Sequence, residues 1–354
     1  MSSTPHAEAI AGCILGTAVG DAIGLPYEAL SPRRARRMFG APTQHRLLFG
    51  HGMVSDDTEH TWLVAQALCA SAGELDHFRR HLAWGMRWWI LGLPAGIGFA
   101  TLRAILKLWL GFSPTRSGVR SAGNGPAMRC ALLGAAILDS RQLVDLVRAA
   151  TRITHTDPRA FSGALAVALA ARQSAQQEHD GERLIADLVA LAKEAATEDM
   201  AGHIALALRS VDRAESTAEF ATQIGCAKGV SGFVVHTVPV AIHAWLSFPH
   251  DYAKAIESTI RCGGDTDTVA AIVGGIVGAG VGTEGLPFAW KERLFEWPRS
   301  TSWMEALARS VSGAVLSSRP TPSPRYQRLG VPARNLLFII VVLAHVLRRM
   351  LPPY

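Results

Sequence analysis

The feature that most constrains the fold is an apolar run of small residues that begins with two acids, "GGDTDTVAAIVGGIVGAG" at residues 263–280. Glycine and alanine at this density let another backbone approach closely, so we predict a buried helix. The run is too short to span a bilayer, which takes about 20 residues. A helix start favours one acid, but two neighbouring carboxylates repel each other. Asp265 and Asp267 therefore need another explanation.

Helical periodicity also dominates the rest of the 354-residue chain. Apolar residues recur at three- and four-residue spacing in the segments that start at Thr61, Ala131, Ala164 and Arg183. The run "GFVVHTVPVAIHAWL" looks β-like, but a central strand does not accommodate Pro239, so we predict a helix that begins near that proline. Without a βαβ pattern, the predicted fold class is all-α, a single compact multi-helix domain.

Amino-acid composition limits the cellular compartment and the binding partners that we expect for this protein. Five cysteines, an odd number without a CxxC pair, are typical of a reduced protein, and the N-terminus does not read as a secretory signal, so we expect a cytoplasmic location. Much of the net charge of +6 comes from arginines near the two ends. Because no basic stripe is interleaved with aromatic residues, we expect no nucleic-acid partner, and anionic small molecules stay open.

The end of the chain differs from the rest. Residues 317–335 are rich in proline and arginine and predict an extended linker, so the predicted division is a domain at 1–316, this linker and an apolar tail at 336–354. The apolar run of the tail, about a dozen residues, is short for a transmembrane helix. Three alternatives stay open: a helix docked on the domain or a partner, an interfacial membrane anchor, or part of a longer span in an oligomer.

A second acidic segment, "SDDTEHT" at residues 55–61, leads into another predicted helix. A capping box between Asp56 and Glu59 explains only one of its acids. The two predicted helix starts together offer these oxygen-bearing side chains: Ser55, Asp56, Asp57, Asp265, Asp267 and Thr268. An all-oxygen set without His or Cys selects a hard divalent ion, Mg²⁺ or Mn²⁺, if the two groups meet. Spacing alone leaves that question open.

Three further segments place polar groups near predicted helix starts. In "SAGNGPAMR", residues 121–129, the glycines and a helix start favour a phosphate, although a plain turn is the simpler interpretation. His155 in "THTDP" is typical of a structural hydrogen bonder. Glu28, which follows Pro26 in a loop, is either a general acid or base or a surface acid.

In their order along the chain, these segments resemble the ADP-ribosylglycohydrolase family, which includes the dinitrogenase reductase-activating glycohydrolases. The resemblance is carried by "GCILGTAVGDAIGLPYE", "SDDTEHT", "GNGPAMR", "THTDP" and "GGDTDTVAAIVGGIVGA", within residues 12–297. It implies an all-α fold, a centre of two Mg²⁺ or Mn²⁺ ions in a cleft, and a hydrolase that releases ADP-ribose from an acceptor side chain.

The resemblance also implies individual roles. The implied metal ligands are Ser55, Asp56, Asp57, Asp265, Asp267 and Thr268. Glu28 is the implied proton-transfer group, with Asp57 as the weaker candidate because it is already a ligand. The implied substrate-binding residues are Ser121, Gly123, Asn124, Gly125, His155 and, more loosely, Phe233.

One departure from the family concerns the acceptor. Members that act on arginine-linked ADP-ribose tend to carry an acid in a "DIG" segment where this chain has Gly96, Ile97 and Gly98. This puts an arginine linkage in doubt and leaves another acceptor or a small ADP-ribosylated molecule open. The alternative function is a non-catalytic ADP-ribose-binding or structural protein on the same fold, which would not need the full set of acids.

Overall fold

A computed structural model describes residues 4–192 and 197–351 of the chain. Within these ranges the chain forms α-helices joined by loops and three short 3₁₀ turns, and its extended residues form only isolated bridges, so the predicted all-α class is confirmed. The helices are α1 Pro5–Gly24, α2 Pro32–Phe39, α3 Asp56–Ser71, α4 Leu75–Ile90, α5 Phe99–Trp109, α6 Ala131–Ala136, α7 Ser140–Arg152, α8 Pro158–Ala175, α9 Gly181–Ala192, α10 Thr197–Asp212, α11 Thr217–Gln223, α12 Val234–Ser247, α13 Tyr252–Ile260, α14 Thr266–Val281, α15 Phe288–Glu292, α16 Thr301–Ser317 and α17 Gly330–Met350.

The centre of the fold is the antiparallel pair of α1 and α14. Glycines recur at every fourth position of α1, and each faces the backbone of α14. A Cβ atom on Gly16 would lie 2.2 Å from the carbonyl oxygen of Gly274, and one on Gly12 would lie 2.1 Å from that of Gly278. Real Cβ atoms do not approach a backbone this closely, so the two helices are in contact because these positions lack side chains. The small-residue run therefore forms the buried helix that the sequence predicts.

This pairing sets the position of the acids. Because the two helices are antiparallel, the C-terminal end of α1 meets the N-terminal end of α14, and Gly24 lies against the backbone of Thr266. Thr266 Oγ1 donates a hydrogen bond of 2.9 Å to the carbonyl oxygen of Gly24 and fixes the register. Asp21, one turn earlier on α1, is thereby placed beside the acids at the start of α14.

The helix in the β-like run begins earlier than predicted. α12 starts at Val234, and Pro239 lies inside it, so the predicted start near that proline is wrong. The start is fixed by a tertiary contact, since the Val234 amide donates to the carbonyl oxygen of Ala122 at 2.9 Å. A partner distant in sequence thus outweighs the preference of proline for a first turn.

The end of the chain forms a further long helix. α16 ends at Ser317, and α17 begins at Gly330, inside the segment predicted to be an extended linker. One face of α17 packs on the domain: Arg334 and Phe338 are buried. The boundaries 1–316, 317–335 and 336–354 stay a prediction, and the last three residues of the tail lie outside the described ranges.

Candidate active site

One cavity of about 500 Å³ gathers the chemically active residues predicted from the sequence. Its lining includes Glu28, Ser55, Asp56, Asp57, Ser121, Gly123, Asn124, Gly125, His155, Asp265, Asp267 and Thr268. Phe233 is not part of the lining; its place is taken by its neighbour Gly232, while the Phe233 ring lies 5.3 Å from the guanidinium of Arg159. The roles of these residues stay predictions.

The two acidic helix starts meet inside this cavity. Thr268 Oγ1, on α14, donates a hydrogen bond of 3.3 Å to Asp57 Oδ2, on α3. Ser55, which caps α3, donates to the same oxygen at 3.0 Å. Two hydroxyls from segments more than 200 residues apart therefore converge on one buried carboxylate.

Asp21 holds the start of α3 in this place. Its Oδ2 atom accepts hydrogen bonds from the Ser55 amide at 2.9 Å and from the Thr58 hydroxyl at 2.6 Å. Asp21 lies on α1, next to the α14 contact, so one carboxylate links the central helix pair to the second acidic helix. Burial raises the pKa of Asp21 to about 7.

A tight turn brings Glu28 to the same site. Gly263 and Gly264 precede α14 with φ of 69° and 82°, a conformation that favours glycine. The Gly264 carbonyl oxygen accepts a hydrogen bond from the Ala29 amide at 2.7 Å, and the Gly264 amide donates to the Leu30 carbonyl oxygen at 2.8 Å. The Glu28 loop is thus joined to the start of α14, and Glu28 lies exposed at the cavity mouth.

The carboxylates repel one another. Burial, with repulsion from neighbouring acids, holds the pKa values of Asp56, Asp57 and Asp267 well above the usual range. Glu28 is exposed but partly enclosed by the cavity, and this partial loss of solvent, with the charge of Asp265, raises its pKa, while Arg349 acts in the opposite direction. Such a cluster favours the binding of protons or cations.

Three buried carboxylate oxygens in and beside this cluster have no hydrogen-bond partner. They are the Oδ1 atoms of Asp21, Asp57 and Asp267. A buried carboxylate oxygen without a partner is costly, and a cation would satisfy it. Within residues 4–192 and 197–351, however, no group of three or more His, Cys, Asp or Glu side chains is arranged to hold a metal ion. An oxygen set for a cation here would therefore include the hydroxyls of Ser55 and Thr268.

The Gly-Asn-Gly loop forms the opposite wall. Asn124 Nδ2 donates to Asp265 Oδ2 at 2.7 Å and to Thr237 Oγ1 at 3.0 Å, so the loop is tied both to the acids and to α12. Cβ atoms on Gly123 and Gly125 would each lie 3.2 Å from the His155 ring. The loop thus lies closely on that ring.

His155 is held neutral. Burial, with the nearby charge of Arg129, lowers its pKa to about 3. The Thr154 hydroxyl accepts from Arg129 Nη2 at 2.6 Å and lies 2.9 Å from His155 Nδ1, to which it can donate. His155 Nε2 is the atom that faces Gly123, so the neutral ring presents a hydrogen-bonding nitrogen to the loop and the cavity.

Helix α17 forms another wall of the cavity. Phe338 and Val342 line the cavity together with the acids. His345 Nε2 lies 2.9 Å from the carbonyl oxygen of Pro26, and Arg349 Nη2 donates to that of Glu28 at 2.8 Å. The C-terminal helix therefore contacts the loop that carries Glu28.

α17 is also joined to the start of α3. Arg334 forms a buried ion pair with Glu296, and its Nη2 atom donates to the carbonyl oxygen of Val54 at 2.7 Å. The Val54 amide in turn donates to Glu296 Oε1 at 2.8 Å. The backbone immediately before Ser55 is thus clamped between a side chain of α17 and an acid of the domain.

Sequence reasoning did not assign roles to several residues that shape this site. Asp21 was visible in "GDAIG", and only its contacts show that it positions α3. Arg129, fully buried, donates to Thr154 and lies 3.0 Å from His60 Nδ1. Phe338 and Val342 carried no signal, because apolar residues in an apolar tail look alike in sequence.

Comparisons with known proteins agree with this geometry. The sequence model of the ADP-ribosylglycohydrolase family matches residues 2–321. The ADP-ribosyl-[dinitrogen reductase] glycohydrolase of Rhodospirillum rubrum is 26% identical over 294 residues, which cover 80% of this chain and 89% of that protein. ADP-ribosylhydrolase ARH3 of Gallus gallus is 25% identical, with 82% and 90% covered.

A solved structure gives the same result. A protein described as an ADP-ribosylglycohydrolase-related protein complex aligns with a TM-score of 0.62 at 25% identity, over 88% of this chain and 99% of that one. The family match ends at residue 321, so α17 lies outside it. The chain belongs to the ADP-ribosylglycohydrolase family and is an enzyme that hydrolyses glycosyl bonds of ADP-ribose.

Proposed function

We propose that this enzyme uses a divalent cation, Mg²⁺ or Mn²⁺, to release ADP-ribose from an acceptor that is not a guanidinium group. The observation that supports a cation is that two acidic helix starts meet at Asp57 and Thr268, where Asp57 and Asp267 each have a buried oxygen without a hydrogen-bond partner. The side chains that would hold one or two such ions all present oxygen atoms: Ser55, Asp56, Asp57, Asp265, Asp267 and Thr268. When bound, a cation supplies Lewis-acid charge that fixes sugar hydroxyls.

The residues of the chain supply the rest of the chemistry. Hydrolysis forms a bond from a water oxygen to the anomeric carbon and breaks the bond from that carbon to the acceptor, through an oxocarbenium-like transition state. Glu28, at the mouth, takes a proton from the water and passes it to the leaving acceptor, which regenerates the carboxylate. The raised pKa of Glu28 makes it a stronger base than an ordinary glutamate. Asp57 is the weaker candidate for this role.

Positively charged side chains in the cavity indicate where the pyrophosphate of ADP-ribose would lie. Arg103 and Arg120 line the cavity on the side of the Gly-Asn-Gly loop, and both are exposed. Two exposed guanidinium groups in one cavity suit a pyrophosphate. We place the pyrophosphate and distal ribose there, near Ser121 and His155.

The part of the cavity lining next to the acids favours an uncharged acceptor group. A Cβ on Gly96 would lie 3.1 Å from Asp56 Oδ1, so this glycine is next to the acids, at the place where an acid in the family accompanies an arginine acceptor. The neighbouring lining is apolar: Leu25, Ala95, Phe99, Phe338 and Val342. Such a wall suits a hydroxyl-linked acceptor, on a protein serine or a small molecule, better than a cation.

Release of ADP-ribose tests the proposal. Peptides ADP-ribosylated on serine and on arginine are incubated with the enzyme, with Mg²⁺, with Mn²⁺ and after chelation. We expect cation-dependent release from the serine peptide and at least a hundredfold slower release from the arginine peptide. Asp57→Asn should lower turnover by roughly a thousandfold, since the residue serves the transition state.

Asp76→Asn is the matched control, because Asp76 is an exposed acid in the first turn of α4. It should leave turnover unchanged. Full activity after chelation would contradict the cation, and preference for the arginine peptide would contradict the acceptor. Binding of ADP-ribose without turnover of either peptide would favour a substrate outside these two classes.

A further inference from the structure

The outer face of α17 carries an unbroken apolar stripe. Its members follow the helical repeat and are more than half exposed: Leu336 54%, Ile340 55%, Leu343 57% and Leu347 62%. Only 22% of the most apolar window of this helix is buried, although the helix is long and apolar enough to cross a membrane by length and composition. An exposed apolar stripe of this size marks a contact surface.

The stripe continues onto α4 and α5. Trp88 and Leu91 share one cavity wall with Val331 and Pro332 at the start of α17. Trp84, Trp88 and Trp109 form a chain of edge-to-face contacts, with ring centroids 5.8 and 6.0 Å apart, and about half of each side chain is exposed. Exposed tryptophans beside an apolar helix are typical of proteins that lie at the interface of a bilayer.

The charge around this apolar face indicates what binds to it. The four helices at this face, α2, α4, α5 and α17, together hold 12 Lys and Arg residues and one acid, Asp76; of the arginines, Arg334 is buried. Arg34, in the arginine-rich helix α2, donates to the carbonyl oxygen of Arg349, which places α2 at the C-terminal end of the stripe. Arg328 lines the cavity at the other end.

From these observations we propose that this face binds the surface of an anionic lipid bilayer. α17 lies in the membrane plane, its apolar stripe and the tryptophans enter the interfacial region, and the flanking arginines contact lipid phosphates. A second copy of the chain is a poorer binding partner for this face, since it would bring two positively charged faces together. This inference does not depend on the cation or on the acceptor.

Flotation of the full-length protein with lipid vesicles tests the proposal. We expect the protein to float with vesicles of phosphatidylcholine and phosphatidylglycerol, and to do so much less with phosphatidylcholine alone. Raised salt should weaken the binding, because the lipid charge is screened. Ile340→Gln/Leu347→Gln should reduce partition by roughly tenfold or more, since two inserted side chains are lost.

Val189→Gln/Leu206→Gln is the matched control, because these apolar residues are similarly exposed on α9 and α10. It should float like the unaltered protein, and circular dichroism should show that both double variants are folded. Absence of flotation with anionic vesicles would overturn the proposal. So would self-association in lipid-free sedimentation that only Ile340→Gln/Leu347→Gln abolishes, since it would assign the face to a second copy.

Discussion

Helices α1 and α17 are both long and apolar enough to cross a membrane, yet they have opposite surroundings in the fold. The most apolar window of α1 is entirely buried, whereas that of α17 is 22% buried. α1 carries Gly12, Gly16, Gly20 and Gly24 on one face, and another backbone lies against them. α17 carries Leu, Ile and Val on every side, more apolar surface than one domain face covers. The spacing of small residues, more than apolar content, therefore decides which helix becomes the core.

The largest effect should follow from filling the α1–α14 contact. In Gly16→Ala the new methyl would lie 2.2 Å from the Gly274 carbonyl oxygen, and backbone cannot move aside without loss of the neighbouring contacts. We expect a loss of about 3 kcal/mol or more in the free energy of unfolding, measured by urea denaturation.

Gly202→Ala is the control for that substitution. Gly202 is exposed inside α10, and a Cβ there would meet nothing within 4 Å. The change should stabilise the protein by about 0.5–1 kcal/mol, because alanine favours a helix more than glycine does. Equal effects at both positions would show that helix propensity, and not close approach, explains α1.

The next effect tests the inner face of α17. Arg334→Gln removes the partner of the buried Glu296 and the donor to Val54. An unpaired buried carboxylate costs about 3 kcal/mol, so α17 should be released or the domain destabilised. Urea denaturation and hydrogen exchange of α17 measure this, with the exposed Arg348→Gln as a control within about 0.5 kcal/mol of the unaltered protein. An unchanged unfolding midpoint would mean that α17 is not anchored there.

The same contrast explains what the sequence could predict. The run of small residues predicts a close helix contact, and helical periodicity predicts the all-α class. The acids at residues 55–57 and 265–267 follow helix-start patterns, but only the family resemblance implied that they meet. The antiparallel register that places Asp21 beside Ser55 could not be anticipated, because it depends on which glycine faces which carbonyl.

The contribution of α17 to the site could not be predicted from the sequence, for a different reason. Phe338 faces the cavity and Ile340 faces solvent, although both lie in one apolar run. Their difference is set by where α17 docks, which rests on single contacts such as that of Arg334 with Val54. Likewise, α12 starts at Val234 because of a bond to Ala122, which no local pattern contains.

A smaller effect concerns pH, since α17 contacts the loop that carries Glu28 through the titratable ring of His345. Burial, opposed by the Pro26 carbonyl and assisted by Arg349, lowers the pKa of His345 below its ordinary 6.5. The docked helix therefore binds fewer protons than the released one, so docking is strongest above pH 6.5 and weakens as the pH falls. As the pH falls below 6.5, opening of α17 in hydrogen exchange, corrected for intrinsic rates, should increase by up to about tenfold per pH unit. Opening of α1 should not increase in that direction, because the pKa of its buried Asp21 is raised. In His345→Gln this pH dependence should disappear; its persistence would place the titrating group elsewhere.

The smallest effect concerns catalysis and separates two adjacent arginines of α17. Arg349 donates to the Glu28 carbonyl oxygen, and its charge opposes the rise in the pKa of Glu28, whereas Arg348 is exposed. Arg349→Gln should lower kcat roughly threefold, since the Glu28 loop loses one of its hydrogen bonds, and should move the acidic limb of the pH–rate profile to higher pH, because Glu28 must be ionised to take a proton. Arg348→Gln should change neither quantity. A reduced kcat with an unmoved acidic limb would mean that Arg349 only positions the loop and that Glu28 is not the titrating base, whereas equal effects of the two variants would mean that α17 acts on the site through its net charge alone.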